Sequence, residues 1–461
     1  MADALPTTVA GVLAAHRQGR PSSVELVRAH LDRIAATDDV IGAFVRVAAD
    51  TALEEAAAAD DALHEGREPG PLHGVPVAVK DLVDVAGLPT EAGSPLRRGH
   101  LADADAEVVR RLREAGAVIL GKTRTDELAY GASTPGTANP WAPDRVPGGS
   151  SGGSAAAVGA GQSLLAVGTD TAGSIRIPSA LCGVVGLKPT HGLVPRQGTV
   201  ALAWSLDNVG PIGGSVADVA AMFAVMAGLA PSPAAREAAA GDLTGLRIGV
   251  PTNHFFDDVE PTVDAAVRAA IRRLADAGAV LVPVAVPRPD LYEAVVYALL
   301  LPEAAAYHAQ DFPSRAQEFS SQLRKALTIG HSIAAVDYVR AQRVRGMIQD
   351  EWQGLLRQVD VVAAPTVPMT AVPRDQRVVH WPSERTESVN SAYVRLTLAA
   401  NLTGFPALSL PCGRDDDGLP IGLQLLGGPG RDLELLDVAA RVEAALDLGL
   451  GRAHAAEHQP G

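Results

Sequence analysis

Apolar and polar residues recur along this chain with the two periods that mark helices and buried strands. Residues 22–36 carry apolar side chains every three or four positions, and Ser22 followed by Glu25 has the sequence of a helix-capping box. Short apolar runs bounded by glycine, proline or polar residues predict buried strands. The predicted strands are 75–79, 117–120, 164–168, 247–250, 280–284, 407–410 and 421–426. The predicted helices are 22–36, 106–115, 155–160, 215–227, 261–277 and 433–446.

The order of these elements predicts the fold class. Strands that alternate with helices favour an α/β fold whose sheet is buried between helices. We expect a single domain over residues 1–461, because the strands on both sides of the Ala- and Pro-rich stretch 231–242 have the pattern of one sheet. That stretch is then a surface loop. Residues 291–353 are predicted to be mainly helical, and we expect them, with the loop 374–387, to form a cap over the functional site.

Composition narrows the classes of partner. The formal net charge of −14 disfavours direct binding to nucleic acid or to an anionic membrane. No apolar run reaches the length of about 18 residues that marks a membrane helix, and residues 1–19 lack the pattern of a secretory signal. Cys182 and Cys412 are too few for a disulfide framework or a zinc site. We therefore expect a cytoplasmic protein with no metal and no cofactor.

Lysine is rare in this chain, which makes its positions informative. Only four of the 39 basic residues are lysine, at positions 80, 122, 188 and 325. Lysine can lose its proton in a buried site, whereas arginine stays charged. Lys80 ends the apolar run 75–79 and is therefore a candidate base, unless codon usage alone left these lysines in place.

Two short motifs match known catalytic patterns but fit them poorly. Residues 116–123 match the phosphate-loop pattern, yet the four residues between the glycines are Ala-Val-Ile-Leu, which favours a strand over a flexible cradle. Residues 149–153 match G-x-S-x-G with Ser151 as the nucleophile. That motif requires a strand leading into it, and residues 144–148 predict a turn. A flexible Gly/Ser linker is the remaining alternative, but an Ala-rich helix follows at once.

A third pattern combines three distant segments. Val-Pro-Val-Ala-Val-Lys ends at Lys80, Gly-Gly-Ser-Ser-Gly-Gly-Ser spans 148–154, and Gly-Thr-Asp-Thr-Ala-Gly-Ser-Ile-Arg spans 168–176. Together they resemble the amidase signature family, in which a second serine follows the first 24 positions later, as Ser174 follows Ser150 here. The resemblance runs from about residue 22 to 446 and includes Gly-Leu-Pro-Ile-Gly-Leu-Gln at 418–424. It implies a large mixed, twisted β-sheet surrounded by helices.

The resemblance also implies a catalytic triad. Ser174 is the nucleophile, Ser150 is a bridging serine that follows a cis peptide bond, and Lys80 is the base. A serine hydroxyl needs such a base, and burial would keep the lysine neutral enough to act as one. The oxyanion of the tetrahedral intermediate then requires N–H donors. The expected donors are the backbone amides of Thr171, Ala172, Gly173 and Ser174.

Further residues around the two serines are predicted to support the site. Asp170 and Arg176 flank the nucleophile and are expected to fix its loop, while Ser151 and Ser154 hold the Gly-rich segment. The family more often has glycine where Ala172 stands, so a positive φ at that position would strain the loop. Lys188 is predicted to be structural, and Asp81 is expected to point away from Lys80. Candidate pocket walls, each also compatible with packed core, are Tyr130, Ala132, Ser133, Trp204, Tyr297 and Trp381.

The predicted function is hydrolysis of a small-molecule amide, with aryl amides, esters and carbamates (urethanes) as chemical variants. The alternative is the amidase component of a tRNA-dependent glutamine amidotransferase. Such components carry a Ser-rich stretch leading to a segment with tyrosine and arginine, and residues 297–308 lack that pattern. A non-catalytic scaffold is disfavoured because all three reactive positions are intact. The sequence leaves the oligomeric state open.

Overall fold

A computed structural model describes residues 5–18, 20–230 and 242–447. The helices in these ranges are α1 Val9–Arg17, α2 Ser23–Ile41, α3 Ala49–His64, α4 Glu107–Glu114, α5 Gly152–Gly159, α6 Arg176–Cys182, α7 Val216–Ala227, α8 Pro261–Asp276, α9 Tyr292–Tyr307, α10 Phe312–Arg315, α11 Ser321–Ser332, α12 Ala335–Leu355, α13 Val389–Arg395, α14 Leu398–Thr403 and α15 Asp432–Leu446. The strands are β1 Phe44–Val47, β2 Pro76–Lys80, β3 Val118–Thr123, β4 Leu165–Asp170, β5 Val185–Lys188, β6 Asn208–Gly213, β7 Arg247–Pro251, β8 Val280–Val284, β9 Val361–Pro365, β10 Val378–His380, β11 Thr386–Ser388, β12 Ala407–Arg414 and β13 Pro420–Leu426.

Eleven strands form one large mixed sheet with helices packed around it. Their order is β1-β3-β2-β4-β6-β5-β12-β13-β9-β7-β8, and β10 pairs with β11 in a separate hairpin. The β2 strand runs parallel to β3 and β4, and β7 runs parallel to β8 and β9. The other neighbours, such as β12 and β13, are antiparallel. This mixed α/β architecture confirms the predicted fold class.

Local sequence patterns correctly predicted several helices and strands. Ser22 accepts from the Glu25 backbone N–H while the Glu25 carboxylate accepts from Ser22, so the predicted capping box begins α2. The β7, α8 and β8 elements form the predicted β-α-β unit with parallel strands. The region 116–123 holds strand β3, as its apolar run indicates.

Strands on both sides of the Ala- and Pro-rich stretch lie in the same sheet, since β6 precedes that stretch and β7 follows it. The predicted loop itself lies almost entirely outside the described residues, because 231–241 are not among them. The predicted helical stretch 291–353 is confirmed as helices α9 to α12.

Four strands of the sheet were not predicted from the sequence. Strand β1 reads Phe-Val-Arg-Val, a short run that Arg46 interrupts, and three of its four residues are exposed. Strand β6 reads Asn-Val-Gly-Pro-Ile-Gly and is fully buried, although glycine and proline are usually depleted in strands. Strands β5 and β9 are the other two.

The functional segments converge where β2 and β4 end side by side. Ala78 packs in an apolar cluster with Ala155, Ala156 and Ala157 of α5. Alternate residues of a strand share a face, so Lys80 at the end of β2 is directed towards the start of α5. Strand β4 ends at Asp170, immediately before the loop that carries Ser174. No helix in the described residues combines the length and apolar character needed to cross a membrane.

Candidate active site

Lys80 lies at the centre of the site and is fully buried. Its Nζ donates to Ser150 Oγ at 2.8 Å, to Ser151 Oγ at 2.9 Å and to Thr169 Oγ1 at 2.7 Å. All three acceptors are neutral hydroxyls, and no carboxylate forms an ion pair with Lys80 in the part of the chain that the structure describes. Thr169 is a partner that sequence reasoning missed.

Burial favours the neutral form of Lys80. Burial lowers the pKa of Lys80 to about 7, although the carboxylates of Asp126, Asp170 and Asp207 act in the opposite direction. Lys122 on the neighbouring strand provides a contrast. Its Nζ lies 3.0 Å from Asp81 Oδ1, so Asp81 points away from Lys80 as predicted.

Lys188 shows that a lowered pKa alone does not identify a base. Burial also lowers the pKa of Lys188 to about 7. Its Nζ donates to the Pro189 carbonyl at 2.7 Å and to no serine hydroxyl among the described residues. The three hydroxyls around Lys80 therefore distinguish the two lysines.

The peptide bond between Gly149 and Ser150 is cis, as the resemblance implies. Position 149 has no room for a side chain, because a Cβ there would lie 2.2 Å from Asp126 Oδ2. Asp126 is buried and accepts from Thr134 N at 2.9 Å and Thr134 Oγ1 at 3.1 Å. Thr134 Oγ1 in turn accepts from Gly152 N at 3.1 Å. Asp126 thus holds one loop against the segment that carries Ser150.

Ser151 and Ser154 tie the Gly-rich segment to strand β4. Ser151 Oγ donates to the Thr169 carbonyl at 3.0 Å and accepts from Thr169 N at 3.1 Å. Ser154 Oγ donates to the Val167 carbonyl at 2.9 Å. The backbone N–H of Ser151 also donates to the Ser174 carbonyl at 3.1 Å, which links the two serine segments directly.

Arg176 and Asp170 form the buried core of the nucleophile loop. Arg176 Nε and Nη2 each donate to Asp170 at 3.0 Å, and neither residue is exposed. The other three guanidinium hydrogen bonds run to the Thr397 carbonyl at 3.0 Å and to the side chains of Gln424 and Asn401, each at 2.6 Å. All five guanidinium donors are therefore in use. Burial would raise the pKa of Asp170, but Arg176 outweighs it and lowers this pKa to about 2.

Asp170 also takes one of the four predicted oxyanion donors. Gly173 N donates to Asp170 Oδ1 at 2.8 Å, so the expectation that this N–H points at the oxyanion disagrees with the structure. The carboxylate competes for the donor because it lies inside the turn. The backbone N–H groups of Thr171, Ala172 and Ser174 make no hydrogen bond within the described residues.

The positive φ anticipated at Ala172 occurs at the next residue instead, where glycine adopts it without strain. Gly173 has φ of 114°, whereas Ala172 is not among the residues with positive φ. A Cβ at Gly173 would lie 2.2 Å from Thr397 Oγ1, so only glycine fits there. Thr397, which immediately precedes helix α14, donates through Oγ1 to the Ala172 carbonyl at 2.7 Å and so supports the loop. The sequence did not reveal this contact.

Ser174 is 7% exposed. Its hydroxyl makes no hydrogen bond within the described residues, so the predicted contact between the Ser150 and Ser174 hydroxyls is not formed here. Catalytic hydrogen bonds often tighten only when substrate is bound.

A cavity of about 550 Å³ lies beside this loop. Thr169 and Thr171 form part of its wall, together with Asp207, whose carboxylate accepts from Thr171 Oγ1 at 2.7 Å. Trp204 and Tyr307 line the same cavity.

The other candidate wall residues take different positions. Ser133 lines a second cavity, of about 470 Å³. Ala132 and Trp381 are buried in one apolar cluster, while Tyr130 and Tyr297 pack against another.

Comparisons with known proteins relate this chain to amidases. The amidase family model matches residues 25–436. An amidase from Pseudomonas putida is 46% identical over 410 residues, covering 86% of this chain and 87% of that protein. A glutamyl-tRNA(Gln) amidotransferase subunit from Chloroflexus aurantiacus is 41% identical over 469 aligned positions, covering 94% of this chain and 95% of that protein.

A solved structure extends the similarity to the fold. The X-ray structure of a peptide amidase from Stenotrophomonas maltophilia has a TM-score of 0.82 and 32% identity, and covers 96% of this chain and 97% of its own. The family model spans nearly the whole chain, including both serine segments and Lys80. The chain therefore belongs to the amidase family, the amidase signature enzymes that act on carbon–nitrogen bonds.

Proposed function

We propose that this protein hydrolyses amide-type bonds of small molecules through a covalent acyl-enzyme on Ser174, with Ser150 as the proton relay and Lys80 as the base. One observation carries the proposal: a fully buried lysine, whose pKa burial lowers to about 7, donates to Ser150 at 2.8 Å beside the loop that presents Ser174. When Lys80 loses its proton, Nζ keeps two N–H groups and gains a lone pair, so it can accept the Ser150 hydroxyl proton across this contact and act as a general base.

The proposed reaction runs in two halves. Neutral Lys80 takes the proton of Ser150 as Ser150 takes that of Ser174, and Ser174 Oγ attacks the carbonyl carbon. The backbone N–H groups of Thr171, Ala172 and Ser174 stabilise the oxyanion. The carbon–nitrogen bond then breaks as Ser150 returns a proton to the leaving amine and regains one from Lys80. Water, deprotonated by the same relay, attacks the acyl-enzyme. The bond to Ser174 Oγ then breaks as the relay returns that proton to Oγ, and the carboxylic acid leaves.

The proposal is tested by labelling the nucleophile. A fluorophosphonate should attach to the wild-type protein at one site, and mass spectrometry of peptides should place it on Ser174. Ser174→Ala should take up no label, while the exposed control Ser332→Ala should label as the wild type does. Label on Ser151 in the wild type, or unchanged labelling of Ser174→Ala, would refute the assignment.

Turnover by the purified chain then defines the preferred substrate. We propose that a panel of anilides, aliphatic amides, esters and carbamates is assayed in parallel, since all share the acyl-transfer step. Hydrolysis of amides supports the amidase activity, and turnover of carbamates would show that urethanes are also substrates. The same assay shows whether this chain alone supplies the whole site.

A second candidate function is that of one component of an amidotransferase complex. It is favoured by the 41% identity to the glutamyl-tRNA(Gln) amidotransferase protein of Chloroflexus aurantiacus. As an isolated chain, a protein of this class would hydrolyse none of the panel substrates. It would hydrolyse glutamine only when co-expressed with the other components of such a complex. Turnover of any panel amide by the chain alone favours the free-standing amidase.

Asp126 offers a test of the proposed base that does not touch the reacting atoms. Its carboxylate is one of three that raise the pKa of Lys80, and it is the first among them in effect. Asp126→Asn should therefore lower the pKa of Lys80 and move the rise of kcat/KM with pH to lower pH. We also expect kcat to fall by roughly tenfold as the support of the Ser150 segment loosens.

Asp126→Glu serves as the matched control because it keeps the charge but not the fit. A Cβ at Gly131 or Gly149 would lie 2.2 Å from the Asp126 carboxylate oxygens, so a longer side chain has no room. Asp126→Glu should lower kcat without moving the pH midpoint. An unmoved midpoint in Asp126→Asn would show that this carboxylate does not act on the titrating group.

A further inference from the structure

Trp204 is the most exposed of the four tryptophans. It is 47% exposed, whereas Trp352 and Trp381 are buried and Trp141 is half-buried. Aromatic residues make up only 4% of the sequence, yet Trp204 and Tyr307 meet edge to face, with ring centroids 5.9 Å apart. Exposed aromatic surface that lines a cavity commonly marks a place where a ligand is bound.

The cavity beside Trp204 suits an uncharged ring. It holds about 550 Å³, and more of its surface is apolar than polar. Its apolar wall residues include Ala129, Val194, Val200, Leu202 and Val209, and its charged wall residues are Arg196 and Asp207. Aromatic rings prefer edge-to-face or offset contacts with one another, so the Trp204–Tyr307 pair favours a third ring over a saturated group of similar size.

The backbone around Trp204 is held from two sides. Arg196 donates to the Trp204 carbonyl. On the other side, Ser205 donates through its N at 2.9 Å and its Oγ at 2.6 Å to Glu303 of helix α9. Arg345 of helix α12 donates to the Ser205 carbonyl at 2.9 Å. An exposed side chain on a fixed backbone is pre-organised for binding, because little flexibility is lost when a ligand arrives.

The position of the cavity indicates which half of the substrate enters it. Thr169 lines the cavity, and its Oγ1 is the nearest hydroxyl to Lys80 Nζ, at 2.7 Å. In the proposed reaction the leaving amine receives its proton from Ser150, which hydrogen-bonds the same lysine. Because Thr169 contacts that lysine and also lines the cavity, the cavity lies on the side of the amine half of the substrate.

We propose that the cavity lined by Trp204 and Tyr307 binds an aromatic ring on the amine half of the substrate, so that aryl amides (anilides) are the preferred substrate class. This inference rests on the proposed hydrolysis at Ser174. Trp204 acts here as a specificity residue that touches the substrate.

The test measures binding apart from catalysis. In a Ser174→Ala background, the dissociation constants of acetanilide and of N-cyclohexylacetamide are compared by calorimetry, with and without Trp204→Leu. The substitution should weaken acetanilide binding by roughly three- to tenfold, as expected for the loss of an aromatic contact, and should change the cyclohexyl amide less than about twofold. Trp204→Phe, which keeps a ring, should restore most of the acetanilide affinity.

Kinetics with Ser174 intact provide the second readout. The ratio of kcat/KM for acetanilide over N-cyclohexylacetamide should fall in Trp204→Leu through a higher KM, with kcat largely unchanged. Equal weakening of both amides, or no change in either, would overturn the aromatic subsite. If Trp204→Leu impaired the hydrolysis of benzamide and not that of acetanilide, the assignment of the cavity to the amine half would be overturned. Failure of the proposed function is separable, because it shows as an unlabelled Ser174 and no turnover while the binding comparison still stands.

Discussion

Lys80→Arg should lower kcat/KM by at least about a thousandfold, which is within the range that a positioned general base contributes. Arginine keeps the positive charge but stays protonated in proteins, so it cannot take a proton from Ser150. Lys80→Met, which removes the charge and keeps a similar length, should fail to the same extent. Lys325→Arg, at an exposed lysine of helix α11, is the matched control and should leave the activity unchanged.

The pH dependence of the activity provides a second test of Lys80 as the base. Only the neutral form of Lys80 can act as a base, and burial lowers its pKa to about 7. Activity should therefore be low below that pH and rise to a plateau above it, in contrast to a free lysine that would titrate near 10.4. A stopped assay of kcat/KM across pH on a stable amide measures the midpoint. Survival of the rise in Lys80→Met, or its loss on changing a single histidine, would assign it to another group.

The resemblance to the amidase signature family implied the candidate triad, and local patterns predicted the elements that carry its members. An apolar run ending in a lysine predicts a buried strand, and β2 ends at Lys80. The Gly- and Ser-rich segment before an Ala-rich run predicts a loop entering a helix, and α5 begins at Gly152. These features depend on residues close together in the chain, so a period or a composition reveals them.

The residues that the sequence missed are brought to the site by tertiary contacts. Thr397 and Asn401 lie more than 200 positions after the loop that they support, and no local pattern marks them. Asp126 lies just after a buried strand and resembles an ordinary turn residue until Gly131 and Gly149 are seen packed against it. The use of the Gly173 N–H by Asp170 is likewise a matter of loop geometry, which residue types alone do not encode.

The strands predicted from the sequence have a local apolar pattern, whereas the strands that were missed depend on tertiary contacts. Strand β2 is apolar up to its last residue, Lys80, and was predicted, whereas the equally buried β6 is rich in glycine and proline. A Cβ at Gly210 in β6 would lie 2.2 Å from the Leu187 carbonyl oxygen of β5. The glycine is thus required by close packing of neighbouring strands, a need that appears only once the sheet is assembled.

Arg176→Met should lower the free energy of unfolding by about 3–5 kcal/mol, because it leaves the buried carboxylate of Asp170 without its partner. The guanidinium uses all five donors, so the change also removes hydrogen bonds from Asn401, Gln424 and the Thr397 carbonyl. Urea denaturation followed by circular dichroism measures the loss. Arg340→Met is the control: its ion pair with Asp337 is 73% and 55% exposed, and such pairs contribute less than about 1 kcal/mol.

A second substitution separates the charge of Asp170 from its hydrogen bonds. Asp170→Asn/Arg176→Met removes both buried charges, so it should be more stable than Arg176→Met alone if the unpaired carboxylate causes most of the loss. Its activity should stay low nonetheless, because the carboxylate also fixes the N–H groups of Gly173 and Ile175 around the nucleophile. Recovery of stability without recovery of kcat is therefore the expected pattern. Recovery of both would show that the loop keeps its catalytic shape without Asp170, and a double variant less stable than Arg176→Met would show that hydrogen bonds outweigh charge in this buried network.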